Sequence, residues 1–253
     1  MAEAKILLRA DNVSKRFGTE GAATVALSGV DMTIRAGEFV TIVGASGCGK
    51  STLLNLFAGI DKPTEGAIEV NGKVALMFQE ATLLPWLTAR GNIELALKYA
   101  GVPRKNLNTR VAELLKIVRL GDGADKRPHE LSGGMRQRVA LARCLAQGAQ
   151  IVLMDEPLGA LDAMTRDHLH DEIESIVAEQ GLTVVFVTHN MREAVRLGDR
   201  VILMGSRPGR VVYEQSVPLK RPRAMDSNDI ATRAAELTNR LKTEQGILQG
   251  ADS

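Results

Sequence analysis

The chain has 253 residues, 45% of them hydrophobic and 25% charged, with a net charge of +2. That length buries one large core, or a core with a satellite, and the balanced charge gives no basis for nucleic acid or a membrane surface as a partner. No run comes near the roughly 20 apolar residues that span a bilayer, MAEAKILLRADN has no signal-peptide pattern, and the two cysteines, Cys48 and Cys144, lack metal spacing and argue against a disulfide framework. The composition reads as a cytosolic chain that meets any membrane from outside the bilayer.

KILLRA (5–10) and residues 25–43 predict strands, EFVTIV (38–43) being the most apolar. A glycine-rich loop follows, then STLLNLFAG, a helical pattern ended by Gly59. GAIEVNGKVALMF (66–78) alternates as two strands around the turn pair Asn71-Gly72, a tight hairpin. From about 86 to 148 the pattern is helical, with Val111, Leu114, Leu115 and Val118 on one face. IVLMDEP (151–157) and TVVFVTHN (183–190) are short apolar runs of the buried parallel-strand type, and VILM (201–204) adds another strand. The basic run LKRPR (219–223) reads as a solvated connector. In DIATRAAELTNRLKTE, Ile230, Ala234, Leu237 and Leu241 recur at helical spacing, with Asp226, Ser227 or Asn228 available as N-cap. Alternating strands and helices predict an α/β core, and the helical block at 86–148 reads as an inserted subdomain.

GASGCGKS (44–51) fits G-x-x-x-x-G-K-[ST] between a strand and a helix, the context that motif requires. Gly44, Gly47 and Gly49 let the main-chain N–H groups of the loop, with Ala45, Ser46 and Cys48 at its free positions, converge on phosphate oxygens, while the helix N-terminus adds a positive dipole. Lys50 then reaches the β- and γ-phosphates, the Ser51 hydroxyl binds Mg²⁺ and Thr52 backs the loop. Asp155, ending IVLMD, suits a Mg²⁺ ligand, and Glu156, one step on, suits a general base for the attacking water, unless the two are plain turn residues. Gln79 ends the strand VALMF and offers a neutral amide to Mg²⁺ and water; its bland alternative is a surface amide. His189 ends VVFVT, placed for a γ-phosphate or for an ordinary structural hydrogen bond. LSGGMRQR (131–138) sets a serine and two glycines at a helix start, which is poor for packing and suited to close backbone approach.

The ordered set GASGCGKST, Phe78-Gln79, LSGGMRQR, LMDEP, LGALD and THN resembles the ATP-binding subunit of ABC transporters over residues 8–215. The resemblance implies a phosphate-loop NTPase core with a parallel sheet (about 5–85 and 149–215), an antiparallel β subdomain, an inserted helical subdomain (about 86–148) and a C-terminal helical extension (about 225–246), together one domain over 1–253. It implies ATP and Mg²⁺ as cofactors and a head-to-tail pair, a second copy or a related subunit. Ser132, Gly133 and Gly134 of one subunit then close on the γ-phosphate held by the other. Phe17 takes the place of the aromatic stacked on adenine, and Asp162 lies in the loop that couples the two sites. Glu156, His189, Gln79 and Lys50 take the catalytic places, and Ser51, Gln79 and Asp155 the metal places.

Within that family, ATLLPWLTARGNI (81–93), GSRPGRV (205–211) and DAMTRDHLHDEI (162–173) look like importers of nitrate, sulfonates, taurine and similar small anions. The implied partners are a membrane permease, met around Gln79 and Trp86, and indirectly an extracytoplasmic solute-binding protein. The implied location is the cytoplasmic face of the membrane, peripherally, with no nucleic acid. An exporter ATPase, a soluble clamp ATPase of repair or translation, and a nucleotide-binding regulator are the rival readings. Two departures stand out: Asn190 replaces the usual aspartate after His189, and the stretch from Gly72 to Met77 is short.

Overall fold

The computed structural model describes residues 5–18, 23–159, 161–206 and 208–246. In chain order the elements are β1 (Ile6–Phe17), β2 (Thr24–Arg35), β3 (Phe39–Gly44), α1 (Lys50–Phe57), β4 (Glu65–Val70), β5 (Val74–Met77), α2 (Ala89–Tyr99), α3 (Leu107–Ile117), α4 (Gly133–Ala146), β6 (Ile151–Asp155), α5 (Ala163–Gln180), β7 (Thr183–Thr188), α6 (Met191–Leu197), β8 (Arg200–Gly205), β9 (Arg210–Ser216) and α7 (Asn228–Glu244). They form two compact units, Met1–Gly72 with Thr183–Ser253, and Lys73–Leu182.

The first unit holds an antiparallel sheet in the order β2-β1-β4 and strands in the order β7-β3-β8-β9. β3 runs parallel to β7 on one side and to β8 on the other, so every residue of FVTIVG is buried. A strand covered on both faces has no polar side, which is why its sequence is a continuous apolar run. Its one hydroxyl, Thr41 Oγ1, is satisfied by the Ala194 carbonyl at 3.1 Å. β9 closes this edge antiparallel to β8. Helix α7 is capped by Ser227, whose side chain accepts from Ile230 N at 3.4 Å. Ile230, Ala234 and Leu237 are buried with Val195, Leu203 and Val217, while Leu241 is half-buried. Each fully buried Ile or Leu contributes about 1.5–3 kcal/mol, which holds a helix whose outer face is polar.

In the second unit β5 and β6 pair in parallel, Val74 opposite Ile151 through Met77 opposite Met154. On α3, Val111, Leu114 and Leu115 are buried, and Val118 is buried at the helix end, as the stripe predicts. α2, α3 and α4 pack on one another, and α4 also meets α5.

Two expectations are corrected. The strands flanking Asn71-Gly72 form no hairpin: β4 pairs antiparallel with β1, and β5 pairs parallel with β6. A turn signal reports the local bend and says nothing of which distant strand each arm will find. The run LKRPR is not a solvated connector throughout. Arg223 is 6% exposed, and its guanidinium donates to the carbonyls of Val195, Arg196, Gly198, Val217 and Leu219 at 2.6–3.0 Å. It thereby satisfies carbonyls at the C-terminal end of α6 that no helical amide reaches. Arg223→Ala, which strands those buried acceptors, is expected to lower unfolding free energy by about 3 kcal/mol in chemical denaturation.

Candidate functional site

The first unit carries the loop between β3 and α1. Gly47 and Gly49 take positive φ of 76° and 89°, which only glycine adopts freely. No side chain caps α1, whose N-cap is Gly49, so the first amides of that helix are left for an external acceptor. Lys50 is buried, and its Nζ curls back to the carbonyls of Gly44 (2.9 Å) and Ala45 (3.0 Å). Ser46, Gly47 and Ser51 are exposed on the open side; Ala45 and Thr52 are half-buried. Cys48 points inward and is fully buried; burial pushes its thiol pKa up, against the pull of the Lys50 charge. These features fit a phosphate group: unpaired helix amides, a flexible glycine backbone and an ammonium held by neutral carbonyls.

Phe17 ends β1 and is 46% exposed, so it is not a core residue; Lys15 Nζ lies 5.0 Å from its ring centroid. His189 follows β7 and is exposed. Its backbone is framed on both sides: Asn190 N donates to Thr188 Oγ1 at 3.0 Å, and that hydroxyl donates to the Glu193 carboxylate. The Asn190 side chain caps α6, accepting from Arg192 N (3.0 Å) and Glu193 N (3.3 Å). Asn caps a helix as well as Asp does, which accounts for its replacing the usual aspartate.

The second unit carries the other candidates. Asp155 ends β6 and Glu156 follows it, both half-buried. Glu156 has φ 44°, a left-handed conformation costly for a side-chain-bearing residue. The turn closes through Gly159 N to Glu156 O at 3.1 Å. A Cβ placed on Gly159 would lie 3.4 Å from Gln79 Nε2 and 3.8 Å from Glu156 Oε2. The Gln79 amide and the Glu156 carboxylate thus converge on one glycine. Asp162 caps α5, accepting from Thr165 N at 3.0 Å; that backbone bond holds its carboxyl below the usual range. Ser132 caps α4 in the same way through Met135 N at 3.2 Å. Gly133 and Gly134 were read as poor for packing, yet added Cβ atoms would meet Leu161 Cδ2 at 2.6 Å and Thr165 Cγ2 at 3.1 Å. Within the chain, then, the first turn of α4 already lies close against Leu161 and against α5. Trp86 is 68% exposed, and Cys144 is buried with its thiol pushed up to about 12. Ala160 in LGALD, Arg207 in GSRPGRV and both extreme ends of the 1–253 domain lie outside the described residues.

The sequence model of the ABC transporter family matches residues 27–159. The chain belongs to that family. It is 44% identical over 244 residues to an aliphatic sulfonates import ATP-binding protein of Pseudomonas syringae pv. tomato, covering 93% of this chain and 86% of the relative. It is 42% identical over 232 residues to the bicarbonate transport ATP-binding protein of Synechococcus elongatus, 86% of this chain but 35% of that longer protein. Among solved structures, an ATP-binding cassette in a dimeric post-hydrolysis state bound to ADP and Pi superposes with a TM-score of 0.74 at 35% identity, covering 85% of this chain and all of that one. Family membership makes the chain an ATP-binding ATPase subunit with the ABC ATPase fold.

Two residues escaped the sequence reading. Gly159 sits beside both Gln79 and Glu156; its only signal is its place in LGALD. Gly209 packs against the back of the phosphate loop: its amide donates to Ala26 O (3.1 Å), its carbonyl accepts from Ser28 N (2.9 Å), and an added Cβ would sit 2.2 Å from the Cys48 carbonyl. Gly209→Ala is therefore expected to push the loop forward and weaken ATP binding by about tenfold, the scale of an overpacked site, read by equilibrium titration with a fluorescent ATP analogue.

Proposed function

We propose that this chain is the ATP-hydrolysing subunit of an importer for a small anion, working through a separate membrane permease. Two copies, or this chain and a close relative, enclose two ATP molecules. The observation that carries the reading is the convergence of the Gln79 amide and the Glu156 carboxylate at Gly159. A chain that only bound nucleotide as a switch would have no need to aim a water-activating carboxylate and a neutral amide at one spot.

In this reading the loop amides and Lys50 bind the phosphates, Phe17 stacks on adenine and His189 contacts the γ-phosphate. Glu156 accepts a proton from the attacking water, and Gln79 orients that water. Ser51, Asp155 and Gln79 each present an oxygen, the ligand type a hard divalent cation takes, so they fit Mg²⁺. When bound, that ion neutralises charge on the β- and γ-phosphates. Ser132, Gly133 and Gly134 face the partner's ATP, the α4 N-terminus adding a positive dipole. Because each ATP touches both subunits, it favours the closed pair by differential affinity.

The permease docks near Trp86, on a groove of the second unit lined by Leu84, Asn92, Leu95, Ala96, Tyr99 and Arg143. The relatives' names, one for sulfonates and one for bicarbonate, support a small anion as the cargo. Sulfonate is our first choice, with nitrate and taurine in the same class. The cargo is selected by the solute-binding protein and the permease.

Glu156→Gln is expected to cut ATP turnover about a thousandfold, the scale of losing a general base, while ATP binding persists and a stable ATP-bound dimer accumulates in light scattering. Normal turnover would remove Glu156 as the base. Tagged and trapped with ATP, the same variant is expected to bring down a polytopic permease from native membranes. Ser132→Arg is expected to stop hydrolysis while the isolated chain still binds ATP; unchanged activity would argue against sites shared across a dimer.

A further inference from the structure

We infer that Gln137 and Arg143 are positioning residues for Gln79: two side chains of one helix hold the loop that carries it. The inference rests on the role proposed above for Gln79. Gln137, on α4, is 5% exposed, and its Nε2 donates to the main-chain carbonyl of Gln79 at 2.9 Å. Its own Oε1 is buried and has no hydrogen-bond partner among the described residues. A buried amide that uses one end and strands the other is a poor way to fill space, since an apolar side chain of the same length would leave no orphan. What the amide supplies is the bond to Gln79. Two turns along the same helix, Arg143 Nη1 donates to the Thr82 carbonyl at 2.8 Å. Thr82 has φ 42°, so the loop bends there through a conformation a β-branched residue avoids, and Arg143 holds the bend. At the far end Asn92 of α2 accepts from Leu84 N (2.9 Å) and donates to Leu84 O (3.2 Å).

The loop from Gln79 to Leu84 is thus fastened at three points, two of them on α4. The same helix begins at Ser132, Gly133 and Gly134. Helices transmit displacement along their length, so a shift of the segment that meets the partner's ATP carries the backbone of Gln79 with it. Arg143 also lines the groove with Leu84 and Asn92, so a body seated there presses on the same fastenings.

The test is a double-mutant cycle on ATP turnover. Gln137→Met keeps the length and burial and removes the donor; kcat is expected to fall about tenfold, as for other residues that orient a catalytic ligand, with KM for ATP unchanged. Gln137→Leu, apolar and likewise without the donor, gives the same result and serves if the Met variant folds poorly. Gln137→Met combined with Gln79→Ala is expected to be no slower than Gln79→Ala alone, because one acts through the other. A kcat loss below about twofold for Gln137→Met, or losses that multiply in the double variant, would overturn the inference. Unimpaired turnover in Gln79→Ala alone would remove the role of Gln79 itself, and the inference with it.

Discussion

Behind the phosphate-binding loop there is no room for a methyl group. A Cβ on Gly44 would meet the Met204 carbonyl at 2.6 Å, one on Gly49 the Leu27 side chain at 2.6 Å, and one on Gly209 the Cys48 carbonyl at 2.2 Å. Main chain is stacked on main chain with nothing between. That contact presses the loop against β2 and β8. The buried run of β3 fixes where the loop starts, and the uncapped start of α1 fixes where it ends. The position of this backbone is set from the rear.

In the second unit the corresponding organiser is α4. Its first turn lies close against Leu161 and α5, with Gly133 and Gly134 at the contact. Its body carries Gln137 and Arg143, which reach the loop of Gln79. The segment with the most distinctive sequence in the chain therefore has two internal duties besides the outward one proposed for it. Glycines there serve helix packing, and polar residues three to nine positions later serve a loop that is some sixty residues distant in sequence.

Much of this was legible before any coordinates. Continuous apolar runs marked β3, β6, β7 and β8, because a strand buried on both faces can afford no polar alternation. The stripe Ile230, Ala234, Leu237 marked the buried face of α7, and of the three cap candidates Asp226, Ser227 and Asn228 it is Ser227 that caps it. The phosphate loop was evident because its chemistry demands a fixed spacing. What stayed hidden depends on neighbours far away in sequence. Gly209 is a single glycine whose reason is the backbone atom opposite it, and Gly159 gains its interest from the two side chains beside it. Arg223 lies in a basic run, and charge in a run reads as solvated until five carbonyls are found around it. Asn71-Gly72 announced a bend correctly and a hairpin wrongly, because pairing is a property of the sheet and not of the turn.

Glu156 sits where the backbone alone would choose glycine. Its φ of 44° costs a side-chain-bearing residue on the order of 1–2 kcal/mol, a cost glycine would escape. Selection for stability by itself would empty this position. On the role proposed above for Glu156, the carboxylate is kept there for turnover, at that conformational cost. On that role, glycine at this turn would exchange turnover for stability, so a single residue here sets the two properties against each other.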